Sequence, residues 1–251
     1  MHGLYELLEK KYDQYNRTEF IESDPVSIPH MFSKKENIEL AGFLTATIAW
    51  GQRNTIIRNA RRLMELMGND PVSFISDASD TEIERLEFCH RTFSSVDLHC
   101  FIYALKNIYL NHGGLETLFT KLYVESRSMK NAFIAFREVF FELKHSTRTG
   151  KHVANVSKNA SAKRLNLFLR WMVRNDDRGV DFGIWQKIPS SALYIPLDIH
   201  SGNVARKLEL LTRKQNDWNA VEILTDRLRR FDPEDPVKYD FALFGMGVFE
   251  N

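Results

Sequence analysis

The sequence predicts an all-α protein, and three observations carry that expectation. Apolar residues recur at three- and four-residue spacing along most of the chain, and no stretch shows convincing strand alternation. Glycine, proline and capping residues punctuate the periodic stretches at helical lengths. With 251 residues and 43% apolar content, the chain can fill one large core or two smaller ones.

Leu4, Leu7, Leu8 and Tyr12 line one stripe of a first helix. Residues 37–50 and 53–67 read as a helix pair, the second rich in arginine and stopped by Gly68-Asn69. Asp70-Pro71 then supplies an N-cap followed by proline at the first helical position. Residues 96–112 form a strongly amphipathic helix ended by Gly113-Gly114, and 115–124 and 131–143 continue the pattern. Residues 144–159 are polar, basic and non-periodic, which reads as a loop. Helix returns at 162–173, with Leu165, Phe168, Leu169 and Met172 on one face. Residues 175–196 carry turn signals and two prolines and read as an ordered connection with a short strand or turn. Helices at 199–210, 220–231 and 236–244 complete the chain, which lacks internal repeats and low-complexity segments.

No apolar run is long enough to span a bilayer, and the charged, amphipathic N-terminus does not read as a signal peptide. A cytoplasmic monomer without membrane association is expected. Cys89 and Cys100 are too few for a four-cysteine metal or iron–sulfur site and read as free, buried thiols. The histidines show no metal-ligand spacing, and neither a glycine-rich phosphate loop nor a Gly-x-Ser-x-Gly elbow is present, so no cofactor or metal is expected. The net charge of +1 does not announce a nucleic-acid binder, but its distribution is uneven. Residues 143–175 contain no Asp or Glu, yet hold Lys144, Arg148, Lys151, Lys158, Lys163, Arg164, Arg170 and Arg174. Such a run is either a solvated basic loop or a patch for a polyanion, and the second suits phosphate contacts.

Three stretches in order resemble the helix-hairpin-helix DNA glycosylase superfamily: FLTATIAWGQRNTIIRNARRLMELMG (43–68), SAKRLNLFLRWM (161–172) with IPLDIHSGNVARKLELL (195–211), and DPVKYDFALFGMG (235–247). The last is similar to the terminal helix of the archaeal 8-oxoguanine glycosylase branch. Lys163 and Asp198 stand 35 positions apart, a long insertion that the same branch shares. The superfamily's leucine-proline-glycine-valine-glycine hairpin is missing, SKNASAK standing before the helix instead. The archaeal branch also lacks the standard hairpin sequence, so that departure resembles it; the iron–sulfur cysteines of the endonuclease III type are absent too. The resemblance implies a single glycosylase-like unit of two helical lobes, about 37–143 and about 1–30 with 160–251, with duplex DNA lying in a cleft between them.

It also implies a base-excision enzyme that removes an oxidised purine such as 8-oxoguanine and has abasic-site lyase activity. Lys163 is the implied nucleophile on the sugar C1′, forming a Schiff base that permits strand cleavage. A free lysine is protonated at neutral pH, with a reference pKa of about 10.4, so an amine nucleophile needs desolvation or neighbouring charge to release its proton. Asp198 is the implied partner that stabilises positive charge on the sugar, and its position before IHSGNVA also makes it a good N-cap. Gln52 is implied to probe or fill the gap left by the flipped base, and Asp240 to contact that base. Without the resemblance, Gly51-Gln52 is a turn and Asp240 a first-turn helix acid. Lys151, Lys158, Arg164 and Arg170 are the expected backbone-phosphate contacts. Trp50, Trp171 and Phe244 are candidates to stack on an extruded base, and His200 reads as a local structural residue.

A nucleophile and stabiliser serving one sugar should face each other across about 4–8 Å. Two rival readings use the same residues: a non-catalytic nucleic-acid-binding protein that keeps the scaffold, and a helical protein-interaction scaffold.

Overall fold

Helical periodicity becomes helix over most of the described chain, and a computed structural model, describing residues 2–250, is all-α. In order the helices are α1 (His2–Tyr15), α2 (Glu19–Glu22), α3 (Lys35–Thr47), α4 (Arg53–Leu66), α5 (Pro71–Asp77), α6 (Asp80–Glu84), α7 (Ser95–Asn111), α8 (Leu115–Ser126), α9 (Met129–Phe140), α10 (Lys163–Val173), α11 (Ile199–Lys207), α12 (Trp218–Leu228) and α13 (Tyr239–Phe249). Between α6 and α7 lies a small antiparallel hairpin, β1 (Cys89–His90) and β2 (Phe93–Ser94), whose two-residue strands are too short to show alternation.

Two local expectations need correction, and a third holds. Residues 144–159 are not a plain loop: they hold 3-10 turns at Thr147–His152 and Val156–Lys158. The 175–196 connection holds its expected turn, as a 3-10 turn at Ser190–Ala192. Cys89 is exposed and Cys100 half-buried, so neither is a core thiol, and burial pushes the Cys100 thiol up to about 11.

The chain divides into two compact units, Ser23–Asn155 and Met1–Glu22 with Val156–Asn251. In the first, the middle unit, α3 is the central helix: it is buried from Asn37 to Thr47 and packs against α4 and α5. Phe43 meets Phe101, Phe136 and Phe140 there, an aromatic core to which α7 and α9 contribute.

In the terminal unit α13 is the hub, packed against α1 and α11. Its sequence, YDFALFGMGVF, is apolar nearly all round, the pattern of a helix enclosed by neighbours. Two glycines set its approach distances. A Cβ on Gly245 would run into the Tyr15 ring on α1, and one on Gly247 would lie 3.0 Å from the His200 backbone on α11. Gly245→Val is therefore expected to cost about 1–3 kcal/mol through overpacking, lowering the melting temperature by about 2–4 °C per kcal/mol. Gly3→Ala is the control, because nothing lies within 4 Å of a Cβ there. Equal melting temperatures for wild type and Gly245→Val would contradict this packing.

Candidate active site

Lys163 is the first residue of α10, and the turn that delivers it is unusual. Asn159 has φ 64° and Ala162 φ 51°, so two non-glycine residues take up left-handed conformations just ahead of the helix. Glycine ordinarily supplies that conformation, and alanine pays about 1–2 kcal/mol for it. Main-chain and side-chain bonds to the start of α12 hold the turn. Trp218 N–H donates to Asn159 O at 3.0 Å, Asn159 Nδ2 donates to Asp217 Oδ2 at 3.0 Å, and Asn219 N–H donates to Asn159 Oδ1 at 3.2 Å. SKNASAK thus reaches, without glycine, backbone angles that a glycine hairpin would adopt freely. Strain held immediately beside a chemically capable side chain is a mark of functional sites.

Asp198 caps α11, as its position suggests, and its two oxygens divide the work. Oδ1 accepts the N–H groups of His200 at 2.8 Å and Ser201 at 2.9 Å, together with the Ser201 hydroxyl at 3.2 Å. The Ser201 Oγ in turn accepts the Asp198 N–H at 3.0 Å, and Asn216 Nδ2 donates to the Asp198 carbonyl at 3.0 Å. Oδ2 is left facing Lys163 Nζ at 3.3 Å, and the two side chains are 30% and 11% exposed. The amine and the carboxylate are therefore a direct ion pair, closer than the expected 4–8 Å. Opposite charges at adjoining helix starts close to contact, and the flexible four-carbon lysine stem allows it.

Behind this pair lies a buried charge network. Arg170 was expected to contact phosphate, but its side chain is only 4% exposed and pairs with Asp240 and, at 3.3 Å, with Asp181. One turn on, Arg174 meets Asp181 at 3.1 Å, Asp176 at 2.7 Å and Asp235 at 2.8 Å, and donates to Tyr12 Oη at 2.8 Å. The physical reason for the correction is the i, i+4 spacing, which sends both guanidinium groups into the unit's interior, where acidic partners and the Phe241 ring receive them. Trp171, a stacking candidate, is likewise fully buried core. Of the remaining phosphate candidates, Lys151 and Lys158 are exposed, and Arg164 is half-buried, its guanidinium lowered by burial to about 10.

Asp240 sits in the first turn of α13 and is 4% exposed. Burial raises its carboxyl to about 7 against the pull of Arg170, with Asp198 pushing up and Lys163 pulling down more weakly. Its field thus reaches the Lys163–Asp198 pair. The native state holds a proton that an unfolded aspartate releases near pH ~3.9. The stability tied to that proton is fully present below about pH 4 and is lost as pH rises through about 7. Asp240→Asn should remove this dependence. In denaturant titrations between about pH 5 and about pH 8, wild type should lose stability relative to the variant as pH rises. Parallel profiles would contradict a raised Asp240.

Gln52 belongs to the middle unit, whereas Lys163, Asp198 and Asp240 belong to the terminal one. It is exposed at the N-cap of α4 and makes no side-chain cap bond. Trp50, two positions earlier, is half-buried and stacks on His152 at 5.8 Å. Phe244 is half-buried in the terminal unit, edge-on to His200 at 6.3 Å. Sequence reading missed Ser201 and Asn216 as holders of Asp198; the serine three positions after the cap was the available signal for the first. Among the described residues no cluster of three or more His, Cys, Asp or Glu is arranged to hold a metal ion, and no helix is long and apolar enough to cross a membrane.

A family model described as Protein of unknown function (DUF2400) matches residues 24–249, so the chain belongs to that family. No curated protein and no solved structure matches the chain.

Proposed function

We propose that this family member is a DNA glycosylase with abasic-site lyase activity, acting as a cytoplasmic monomer on an oxidised purine such as 8-oxoguanine in duplex DNA. One observation carries the reading: Lys163 and Asp198, distant in sequence, meet at 3.3 Å at the starts of two helices, with both side chains still partly accessible. The strained residue before Lys163 and the cap that fixes Asp198 add support.

The target nucleotide has to leave the base stack before its sugar can be attacked, at a cost of a few kcal/mol. Asp198 Oδ2 accepts a proton from Lys163 Nζ, giving the neutral amine. The bond from C1′ to the base breaks, its electron pair leaves with the base, and the base takes up the proton held by Asp198, which returns Asp198 to its carboxylate form. Nζ bonds to C1′, while the adjacent carboxylate offsets positive charge on the sugar. Opening of the C1′–O4′ bond, with O4′ taking one proton from the nitrogen now bonded to C1′, then gives a protonated Schiff base. Loss of a C2′ proton with departure of the 3′-phosphate cuts the strand. Incubation with an 8-oxoguanine duplex should give base release and strand incision, and borohydride should trap a covalent complex by adding hydride to C1′.

The second reading is a non-catalytic nucleic-acid-binding protein. It draws on the closeness of the ion pair, which is also how a structural salt bridge looks, and on the missing glycine hairpin. Duplex binding with no trapping on oxidised or abasic DNA would favour it.

A further inference from the structure

A second cluster, in the middle unit, surrounds the Trp50–Gln52 turn and has no part in the chemistry just described. Its anchor is Asp97, fully buried in the first turn of α7. Asp97 Oδ2 accepts the Ser94 N–H at 2.9 Å and the Ser94 hydroxyl at 3.0 Å, closing the hairpin onto α7. Oδ1 accepts the Thr149 hydroxyl at 2.8 Å, which docks the 3-10 turn Thr147–His152 beside it. The Arg148 guanidinium lies across the same site, Nη2 standing 3.1 Å from Asp97 Oδ2 and donating to Thr92 O at 3.1 Å, with nearly half of its side chain exposed.

The hairpin in turn braces the Gln52 turn. Asn59 Nδ2 donates to His90 Nδ1 at 2.9 Å, which leaves Nε2 to carry the ring proton and donate to Trp50 O at 3.1 Å. Burial keeps His90 below the usual histidine range, so the ring holds this neutral form. Gly51, with φ +106°, lets Arg91 lie flat on the turn: a Cβ there would fall 2.9 Å from Arg91 Nη1. Arg91 is exposed, as are Gln52 and Lys151, the last beside the His152 ring that stacks on Trp50. Buried Asp97 thus braces Arg148 on the hairpin, and Arg91, on the same hairpin, lies against the Gly51 turn that His90 anchors through Trp50 O. Asp97 neutralises one of these positive charges and faces inward.

We infer that Arg91 and Arg148 form a phosphate-binding surface for the backbone of duplex DNA, set beside Gln52 and separate from the Lys163–Asp198 pair. The inference rests on the reading that the chain takes duplex DNA, and it adds two residues that the basic run alone does not single out together. Two planar guanidinium groups, one on the hairpin and one bonded to its Thr92 carbonyl, suit phosphate oxygens, which position a duplex without reading its sequence.

The test is fluorescence anisotropy of the full chain with an undamaged duplex over a series of salt concentrations, for wild type, Arg91→Gln, Arg148→Gln and the double variant. Arg91→Gln is the decisive single change, since its guanidinium rests on the Gly51 backbone, whereas Arg148 also touches buried Asp97. Each loss should weaken binding several-fold at moderate salt and flatten the slope of log affinity against log salt by about 1. Lys121→Gln on α8, outside the cluster, should alter neither. An unchanged slope for Arg91→Gln, an equal effect of Lys121→Gln, failure of wild type to bind the duplex, or an Arg91-dependent preference for RNA would each overturn the assignment. Binding with these slopes but no borohydride trapping would leave the surface standing and remove the glycosylase reading instead.

Discussion

Lys163→Gln is expected to lower base release by about 10³-fold or more while leaving duplex affinity within a few-fold of wild type. The side chain is the proposed nucleophile, and glutamine has no amine to bond with C1′. Folding should hardly notice the change. The Lys163–Asp198 pair is partly solvent-exposed, and such pairs contribute up to about 1 kcal/mol. A melting temperature within a few degrees of wild type would show that lost activity is not lost structure. Activity kept within tenfold, with normal melting, would mean that the amine does no chemistry.

Asp198→Asn separates the two jobs of one carboxylate. Asparagine is as good an N-cap as aspartate, so its Oδ1 can still accept the His200 and Ser201 N–H groups. The position of Oδ2, however, becomes an NH₂ group, which can neither take the lysine proton nor offset positive charge. Base release should fall by about 10²–10³-fold, the scale typical of removing one electrostatic stabiliser, with stability nearly unchanged. Asp198→Ala should lose the activity and also about 1 kcal/mol of stability, the cost of the cap. If Asp198→Asn and Asp198→Ala melted alike and both kept activity, Asp198 would be neither cap nor catalyst.

The helices were legible because a buried stripe repeats with the helix itself: Leu165, Phe168, Leu169 and Met172 announce α10, and four of the four are buried. Asp198 as a cap was legible for a similar local reason, since a cap is defined by its neighbours in sequence. Arg170 and Arg174 were misread because charge alone says surface; their acidic partners Asp181, Asp235 and Asp240 are far enough along the chain that only folding pairs them. The hairpin at Cys89–Ser94 escaped because two-residue strands carry no period. The left-handed Ala162 had no signal at all, because nothing in alanine's chemistry favours that backbone. The contact of Lys163 with Asp198 could be expected only from resemblance, and its 3.3 Å separation only from the fold.

The most direct measurement is to trap the protein on abasic or 8-oxoguanine duplex with borohydride, digest the complex, and locate the sugar adduct by mass spectrometry. The adduct should sit on the peptide containing Lys163, with the extra mass on its Nζ. An adduct on any other amine, or none under conditions where the duplex is bound, would contradict the assignment of Lys163 as the group that attacks the sugar.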